Sequence, residues 1–407
     1  MQQTALQTAL LILSIAIAGY AYGWQSLLST ATLTMLSYVI AFVIKPKSGF
    51  RRLFGYILFF LTPFLTYIGV LNTLTGLNPS GAEKYWFGIT FVSASLAVFV
   101  YEGNLSLRTS VLHILQPIRL YSGPVAIPRS WSGHRRVTAM KLLIYGSWLN
   151  LGMFFFLVLA PTVTPFFSLK NSTNPVDTLV FATAYELYVY FNFAGISFMA
   201  YALLRAAGVA AMLNFNTPFA ARSAIEYWQR WHISLSQVCK VLFFSPTRRH
   251  LGIPIAVVGV FVSSAMWHGT TLNFLIWGIF HATGWIGSYF LLSRCRYGKA
   301  IALAILPLLL VIGRLIFSEI DGHLLFVKLV NIMEMDLSAP LHLKEVALSK
   351  TGSLLLAVSI AAIAGEVARL PLFRRYRIYR MGWNSIFLLA LTALFGVSGM
   401  GGIYGAR

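Results

Sequence analysis

The chain has 407 residues, of which 58% are hydrophobic and only 10% are charged, and its mean hydropathy is +0.74. Soluble domains carry about a quarter of charged residues, so this composition excludes an ordinary soluble domain and indicates a polytopic membrane protein. Because each span needs roughly 20 apolar residues, we expect about eleven spans in one membrane-embedded domain over residues 1–407.

The net charge of +20 has two interpretations. It could attract a polyanion such as a nucleic acid, or it could be the lysine and arginine excess that marks cytoplasmic loops. The second interpretation is favoured because the basic residues cluster in short loops between apolar runs. We therefore expect no nucleic-acid partner, and some attraction to anionic lipid headgroups.

The apolar runs, taken in chain order, predict eleven transmembrane helices with the N-terminus inside and the C-terminus outside. The first run lacks the basic region and cleavage site of a signal peptide, so we expect a retained span. The predicted spans are 4–22, 27–44, 54–74, 86–101, 142–163, 179–204, 253–267, 272–292, 301–317, 352–368 and 385–400.

Several segments between the spans have their own signals. Residues 102–141 combine six basic residues with many apolar ones, which predicts an interfacial or re-entrant element on the cytoplasmic face. Residues 205–250 mix charges with aromatic residues and lack an uninterrupted apolar stretch, so we expect irregular backbone beside a cavity. Residues 76–84, 168–177 and 318–350 are predicted to be external.

Histidine-bearing motifs interrupt the apolar sequence between Asn214 and His281. Imidazole and charged groups are costly in hydrocarbon, so such a run is expected to line a cavity where the chemistry takes place. The motifs are Asn214-Phe-Asn-Thr-Pro-Phe219, Trp228-Gln-Arg-Trp-His-Ile-Ser-Leu-Ser236, Trp267-His-Gly269 and Trp277-Gly-Ile-Phe-His281.

These motifs, preceded by Phe193-Ala-Gly195, resemble the membrane-bound O-acyltransferase (MBOAT) family, in its bacterial branch of alginate O-acetyltransferase and D-alanyl transfer proteins. Gly88-Ile-Thr-Phe91 and Ser122-Gly-Pro124 extend the resemblance to residues 85–290. The resemblance implies an all-α polytopic fold in which transmembrane and re-entrant helices surround a central funnel. It also implies acyl transfer to a hydroxyl group.

His268 is the predicted catalytic base. Transfer to a hydroxyl needs a group that accepts a proton near neutral pH, which histidine does. Trp267 provides an aromatic wall beside it, and Gly269 permits close approach of backbone or substrate. By resemblance this histidine is the catalytic one, and the alternative is a histidine that caps the end of a span.

Two further histidines have different predicted roles. By resemblance, His232 is the second catalytic residue, which positions the acceptor or thioester or tunes His268; the alternative is a structural histidine in a Trp/Arg cluster. His281 follows His268 by thirteen residues, about 20 Å along one helix. That separation is too large for joint proton transfer, so we expect a structural or tunnel-lining role.

The remaining candidates are expected to contact the donor or substrate. Arg230 could bind a phosphate group or pair with Glu226 one turn earlier. Trp228 and Trp231 are spaced to share a helix face that packs against an apolar chain or a partner helix. The full set of predicted donor or substrate residues is Asn214, Trp228, Arg230, Trp231, Ser234, Trp267 and His281.

No metal is expected, because Cys239 and Cys295 have no metal-ligand spacing. We also expect no bound cofactor. A covalent intermediate on Cys239, near His232 in sequence, remains an alternative to a small buried side chain.

The resemblance predicts a cytoplasmic thioester co-substrate, either acetyl-CoA or a carrier-protein phosphopantetheine thioester. The acceptor is a hydroxyl of an extracytoplasmic polysaccharide or of a partner transferase. A membrane-anchored or periplasmic esterase-like partner, a site in the bacterial inner membrane and acetyl as the acyl group are expected, with D-alanyl transfer second. A transporter of an anionic or lipid-linked solute is the alternative of another class, and transporters commonly show internal repeats.

Overall fold

The computed structural model describes residues 24–44, 49–68, 92–103, 137–208, 211–269 and 271–347, with scattered residues from 357 to 394. Within these ranges the regular elements are helical and no strand occurs. The predicted span 4–22, the loop 76–84, most of the interfacial segment 102–141 and most of the last two spans lie outside the described residues.

The helices follow the apolar runs closely. Their bounds are α1 Trp24–Val43, α2 Gly49–Ile68, α3 Val92–Glu102, α4 Ala139–Phe154, α5 Pro175–Ala206, α6 Ala224–Arg230, α7 Ile233–Cys239, α8 Ser245–His268, α9 Leu272–Arg294, α10 Gly298–Ser318, α11 Gly322–Glu334 and α12 Leu343–Ala347. A π-helical turn, Phe155–Leu159, extends α4 toward Thr162, and 3-10 helices form at Thr164–Asn171 and Pro218–Ala220.

Five helical segments of the described residues are long and apolar enough to cross a membrane. They are Ala139–Thr162, Pro175–Ala206, Ile233–His268, Leu272–Arg294 and Gly298–Ser318. An all-α, multi-pass membrane protein is therefore confirmed. The predicted spans 142–163, 179–204, 272–292 and 301–317 each fall within one of these segments to within one residue.

The prediction of irregular backbone over residues 205–250 is wrong for its second half. Helical structure begins at Ile233 and continues through a π-helical turn, Lys240–Phe244, into α8. Hydropathy did not reveal this helix because Lys240, Arg248 and Arg249 lie on its exposed surface. Irregular backbone is confined to the loops around α6.

The helical segment Ile233–His268 bends sharply at Gly252. This residue has φ +80° and ψ 179°, a conformation that is essentially restricted to glycine. Pro254 follows and removes a backbone donor. The predicted span start at Ile253 falls directly after this bend.

The external loops predicted at 168–177 and 318–350 contain more helix than expected. The first is mostly the 3-10 helix and the start of α5, and the second contains α11 and α12. The Asp177 carboxylate accepts hydrogen bonds at 2.9 Å from the backbone N–H groups of both His342 and Leu343. The sequence could not show this, because the partners lie about 165 residues apart.

The chain divides into two compact units. The first unit contains Met1–Tyr145, Ala200–Asn214 and His232–Thr270, and the second contains Gly146–Met199, Phe215–Trp231 and Thr271–Arg407. In the first unit, α2 packs against α8 and the preceding π-helical turn. The Tyr56 hydroxyl donates to the Leu242 carbonyl at 2.9 Å, and the Phe59 and Phe243 rings lie 5.1 Å apart.

In the second unit, α4 and α5 approach each other backbone to backbone. A β-carbon at Gly152 would lie 2.6 Å from the Gly195 carbonyl oxygen, and one at Gly195 would lie 2.8 Å from the Gly152 carbonyl oxygen. Only glycine permits this contact, since a real side chain would push the helices apart. The Phe193-Ala-Gly195 motif therefore marks a close helix crossing.

Candidate active site

His232 stands at a sharp change of backbone direction in the first unit. It precedes the first residue of α7 and has φ 43° and ψ 52°, in the left-handed region. That conformation costs a non-glycine residue on the order of 1–3 kcal/mol unless neighbouring contacts fix it. The surroundings of His232 are therefore expected to hold it firmly.

Asn214 provides that restraint. Its side-chain oxygen accepts hydrogen bonds from the Ser234 backbone N–H at 3.1 Å and from the Ser234 hydroxyl at 2.8 Å. Its carbonyl accepts one from the Ile233 N–H at 2.8 Å. Asn214 and Ser234, both predicted to contact the donor or substrate, are buried and hydrogen-bonded to each other.

The same contacts determine which ring nitrogen of His232 carries the proton. A backbone N–H can only donate, so the Asn214 atom that it contacts is the oxygen, Oδ1. His232 Nδ1 lies 3.2 Å from this oxygen and must donate to it. In a neutral imidazole the other nitrogen then carries the lone pair, so Nε2 of His232 is the nitrogen that can accept a proton.

Trp267 joins the two predicted catalytic histidines. Its ring lies 6.3 Å from the His232 ring and 5.1 Å from the His268 ring, both edge to face. His268 is the last residue of α8, directly after the predicted span 253–267. His232 and His268 therefore both lie against Trp267, although 36 residues separate them in the sequence.

The bend at Gly252 explains how they meet. A straight helix from Ile233 to His268 would hold its ends about 50 Å apart at 1.5 Å per residue. The contact between His232 and Trp267 requires the segment to double back, with Gly252 between two arms of similar length. The positive φ of Gly252 thus allows the bend that brings His232 next to Trp267.

Electrostatics keep His232 neutral. Burial, and then the nearby His268 imidazole, lower the pKa of His232 well below its usual value. Desolvation acts in this direction because it disfavours the charged form. Near neutral pH the imidazole is accordingly in the form that can accept a proton.

Trp228 and His281 belong to a separate cluster in the second unit. The Trp228 ring lies 4.9 Å from the His281 ring and 5.7 Å from the Trp277 ring. His281 is buried, and Gly313 of α10 makes room for it, since a β-carbon there would lie 2.1 Å from His281 Nε2. The estimate of 20 Å from His268 along one helix is wrong, because α8 ends at His268 and α9 begins at Leu272.

Arg230 is held by protein groups. It pairs with the Glu226 carboxylate, and Nη1 donates to the Thr217 carbonyl at 3.3 Å and to its hydroxyl at 3.2 Å. The ion-pair alternative for Arg230 is therefore confirmed.

The prediction that Trp228 and Trp231 share a helix face is wrong. Helix α6 ends at Arg230, and Trp231 is extended, with ψ 132°. Its ring stacks on Tyr227 at 5.5 Å and meets Phe215 edge to face at 5.0 Å. A spacing of three residues places two side chains on one face only while the helix continues.

A buried charge network in the second unit was not predicted from the sequence. Arg314 of α10 donates to Glu186 of α5 at 2.5 Å, and the Tyr227 hydroxyl donates to the same carboxylate at 2.6 Å. Burial, and the Glu186 charge after it, raise the pKa of Tyr227, so its phenol stays protonated. The signal was present, because a lone glutamate and a lone arginine inside apolar spans are expected to pair.

The part of the chain that contains this site is similar to proteins of known family. Residues 169–296 match the model of the MBOAT, membrane-bound O-acyltransferase family. This range contains every predicted site residue.

Three relatives extend the match. A probable alginate O-acetylase, AlgI, of Azotobacter vinelandii is 34% identical over 129 residues, which is 31% of this chain and 26% of that protein. A peptidoglycan O-acetyltransferase of Helicobacter pylori is 28% identical over 154 residues, 36% of this chain and 28% of that protein. A teichoic acid D-alanyltransferase of Bacillus subtilis is 26% identical over 168 residues, 36% of this chain and 42% of that protein.

The chain thus spans between 26% and 42% of the length of these curated relatives. The matched region is the one that carries both histidines, and the relatives come from bacteria. Residues 169–296 of this chain are therefore similar to the membrane-bound O-acyltransferase family and to bacterial O-acetylating and D-alanyl-transferring proteins.

Proposed function

We propose that the protein is a membrane O-acyltransferase that moves an acyl group from a cytoplasmic thioester to a hydroxyl outside the membrane. The observation that carries this proposal is the pairing of His232 and His268 about Trp267, with the lone pair of His232 fixed on Nε2 by Asn214. A buried His232 imidazole whose pKa is lowered, beside a second histidine, suits proton transfer near neutral pH.

The reaction needs one proton acceptor at the attacking hydroxyl. In the proposed mechanism, His268 takes the hydroxyl proton, the oxygen attacks the thioester carbonyl, and the carbon–sulfur bond breaks as the thiolate leaves. The proton then passes to the thiolate. His232 positions the acceptor or the thioester, or tunes His268, and its Nε2 accepts a hydrogen bond in that role.

Acetyl is the first choice of acyl group, from acetyl-CoA, because relatives that match include O-acetylating proteins. D-alanyl transfer from a carrier-protein thioester is the second, supported by the teichoic acid D-alanyltransferase match. The acceptor is an envelope or secreted polysaccharide, or an esterase-like partner transferase that passes the group on.

The proposed architecture is a single domain of about eleven spans that surround a funnel in the bacterial cytoplasmic membrane. The N-terminus is inside and the C-terminus outside, as the basic loops indicate. Labelling of single cysteines introduced into the loops, with a membrane-impermeant reagent, tests this topology. Labelling of both termini from the same side would contradict it.

The function is tested with purified protein in liposomes, supplied with radiolabelled acetyl-CoA or with a D-alanyl carrier protein and a polysaccharide acceptor. We expect acyl transfer that depends on His268 and His232. Transport of a solute across the liposome membrane, without thioester turnover in either assay, would favour the transporter alternative instead.

A further inference from the structure

The side chain of Arg205 has an unusual orientation for a basic residue at the end of a membrane helix. It lies in the last turn of α5, where Gly208, with φ +79°, follows and donates to the Arg205 carbonyl at 3.1 Å. A cation here complements the helix dipole and usually extends into water. Arg294 does this at the end of α9, where its exposed guanidinium lies 5.2 Å from the ring of Phe290 in the same helix.

The Arg205 guanidinium turns inward instead, toward two tyrosines of the first unit. It lies 5.8 Å from the ring centroid of Tyr145, on α4, and it interacts electrostatically with Tyr201, one turn earlier on α5. The two tyrosine rings meet edge to face at 6.3 Å. We call these three residues the Arg205 cluster.

One donor of the Arg205 cluster is buried and unused within the described part of the chain. Nε of Arg205 is inaccessible to solvent and contacts no acceptor among those residues. Guanidinium groups bind phosphate through paired, planar N–H donors, which include Nε. A buried N–H of this kind is satisfied when an anion completes the cluster.

The first unit contains few carboxylates that could act as the anion beside Nε of Arg205. Its sequence contains 15 lysine and arginine residues but only two acidic residues, Glu83 and Glu102. Lys141, one turn before Tyr145 on α4, adds a second cation to the same helix face. The α5 C-terminus contributes about half a negative charge, which the full charge of the guanidinium exceeds.

We infer that the Arg205 cluster binds a phosphate group of the acyl-thioester donor. This inference rests on the proposed function, because coenzyme A and carrier-protein phosphopantetheine both carry a phosphate at the same end of the pantetheine arm that leads to the thioester. It assigns donor recognition to a residue outside the histidine motifs. Arg230, for which the sequence left both a phosphate contact and an ion pair open, is paired with Glu226.

The direct test is a binding comparison between 4′-phosphopantetheine and pantetheine, which differ only in the phosphate. In nanodiscs of phosphatidylcholine, the wild-type protein should bind the phosphorylated compound about 10- to 100-fold more tightly. Arg205→Gln should abolish this preference, and Arg205→Lys should retain only part of it. Arg248→Gln is the matched control, because it removes an exposed arginine of the same unit that also contacts a ring, Phe244.

A second arm separates the donor phosphate from a lipid phosphate. The measurement is repeated in nanodiscs that contain phosphatidylglycerol. The preference for the phosphorylated compound could disappear in phosphatidylglycerol, and Arg205→Gln could abolish this effect of the lipid. In that case the Arg205 cluster binds a lipid headgroup, and the assignment to the donor phosphate is wrong. An unchanged preference supports the donor.

Steady-state kinetics distinguish this inference from the proposed function. Arg205→Gln should raise KM for acetyl-CoA with little change in kcat. If Arg205→Gln leaves the enzyme active and changes neither KM nor the phosphate preference, the inference about the Arg205 cluster is wrong, and the proposed function stands. Full retention of the preference in Arg205→Lys would show that charge without the guanidinium geometry suffices, which also contradicts the assignment. Absence of acyl transfer from any thioester contradicts the proposed function, and the binding comparison then still decides the anion site.

Discussion

The two units of the protein use charge in opposite ways. The second unit contains the ion pairs Arg230–Glu226, Arg314–Glu186 and Lys328–Glu319, and it carries nine of the eleven acidic residues. The first unit carries His232 and His268 with 15 basic and two acidic residues. The second unit therefore uses its charges in internal ion pairs, whereas the first places His232 and His268 among an excess of basic residues that suits an anionic donor.

The sharpest test of this contrast is His268→Ala in the first unit. Acyl transfer should fall by about 10²- to 10⁴-fold, because the general base is removed. His268→Gln should not restore it, since an amide does not accept a proton near neutral pH. The assay is polymer acylation per folded molecule, and the exposed His250→Ala serves as the control.

Two results would change the assignment. If His268→Ala stays active and His232→Ala does not, the base is His232. If both variants remain active, neither histidine performs the transfer.

The largest effect on stability is expected for Arg314→Met in the second unit. It leaves the Glu186 carboxylate buried without its cation, which should lower the free energy of unfolding by about 3–5 kcal/mol. The double variant Glu186→Gln/Arg314→Met should recover part of the loss, because no charge is then left buried. Thermal unfolding in detergent measures this.

Arg248→Met is the matched change in the first unit, and it should alter stability by no more than about 0.5 kcal/mol. Equal losses of stability in Arg314→Met and Arg248→Met would contradict the proposed difference in how the two units use charge.

Asn214→Ala should reduce acyl transfer by about 10- to 100-fold, because it removes the acceptor that holds Ser234 and the Nδ1 proton of His232. The loss should appear in kcat more than in the KM of the donor, since Asn214 acts through His232. A change in KM alone would place Asn214 at the donor, as the sequence analysis first expected.

Gly252→Ala should lower stability by about 1–3 kcal/mol, because φ +80° with ψ 179° is strained for any side chain. No steric clash contributes, as the nearest atom to a β-carbon there is 4.0 Å away. Gly259→Ala in the same helix is the control. It has open space and should instead stabilise by about 1 kcal/mol through helix propensity. Similar losses in both variants would argue against a special backbone role for Gly252.

The smallest predicted effect is a shift in pH dependence with Asn214→Asp. The carboxylate keeps both acceptors but adds a negative charge beside Nδ1, which raises the pKa of His232 from its lowered value. The protonated, inactive imidazolium then persists to higher pH, so the acid limb of kcat/KM should move up by about one pH unit. An acid limb that stays in place would indicate that His232 does not control it.

The sequence was informative where a single residue or a local run determines the outcome. The apolar runs located four spans closely, and the motif residues His232, Trp267 and His268 proved to be neighbours. It failed where the outcome depends on backbone conformation or on distant partners. Neither the left-handed conformation of Gly252 nor the end of α6 before Trp231 changes the average hydropathy.

The Glu186–Arg314 pair shows the second kind of failure. Each residue was visible as a charge inside an apolar span, but the pairing joins positions 128 residues apart. One sequence does not determine which helices become neighbours. Similarly, Asp177 and Lys328 bind partners in segments that the sequence presented only as loops.

The doubled-back segment between His232 and His268 also limits how this region can vary in length. Gly252 separates arms of 19 and 16 residues, 233–251 and 253–268. One inserted residue would turn everything beyond it by about 100° and advance it by 1.5 Å, so an arm lengthened by one residue would carry its terminal imidazole away from Trp267. Related sequences should therefore keep the number of residues in each arm constant, even where the side chains along the arms differ.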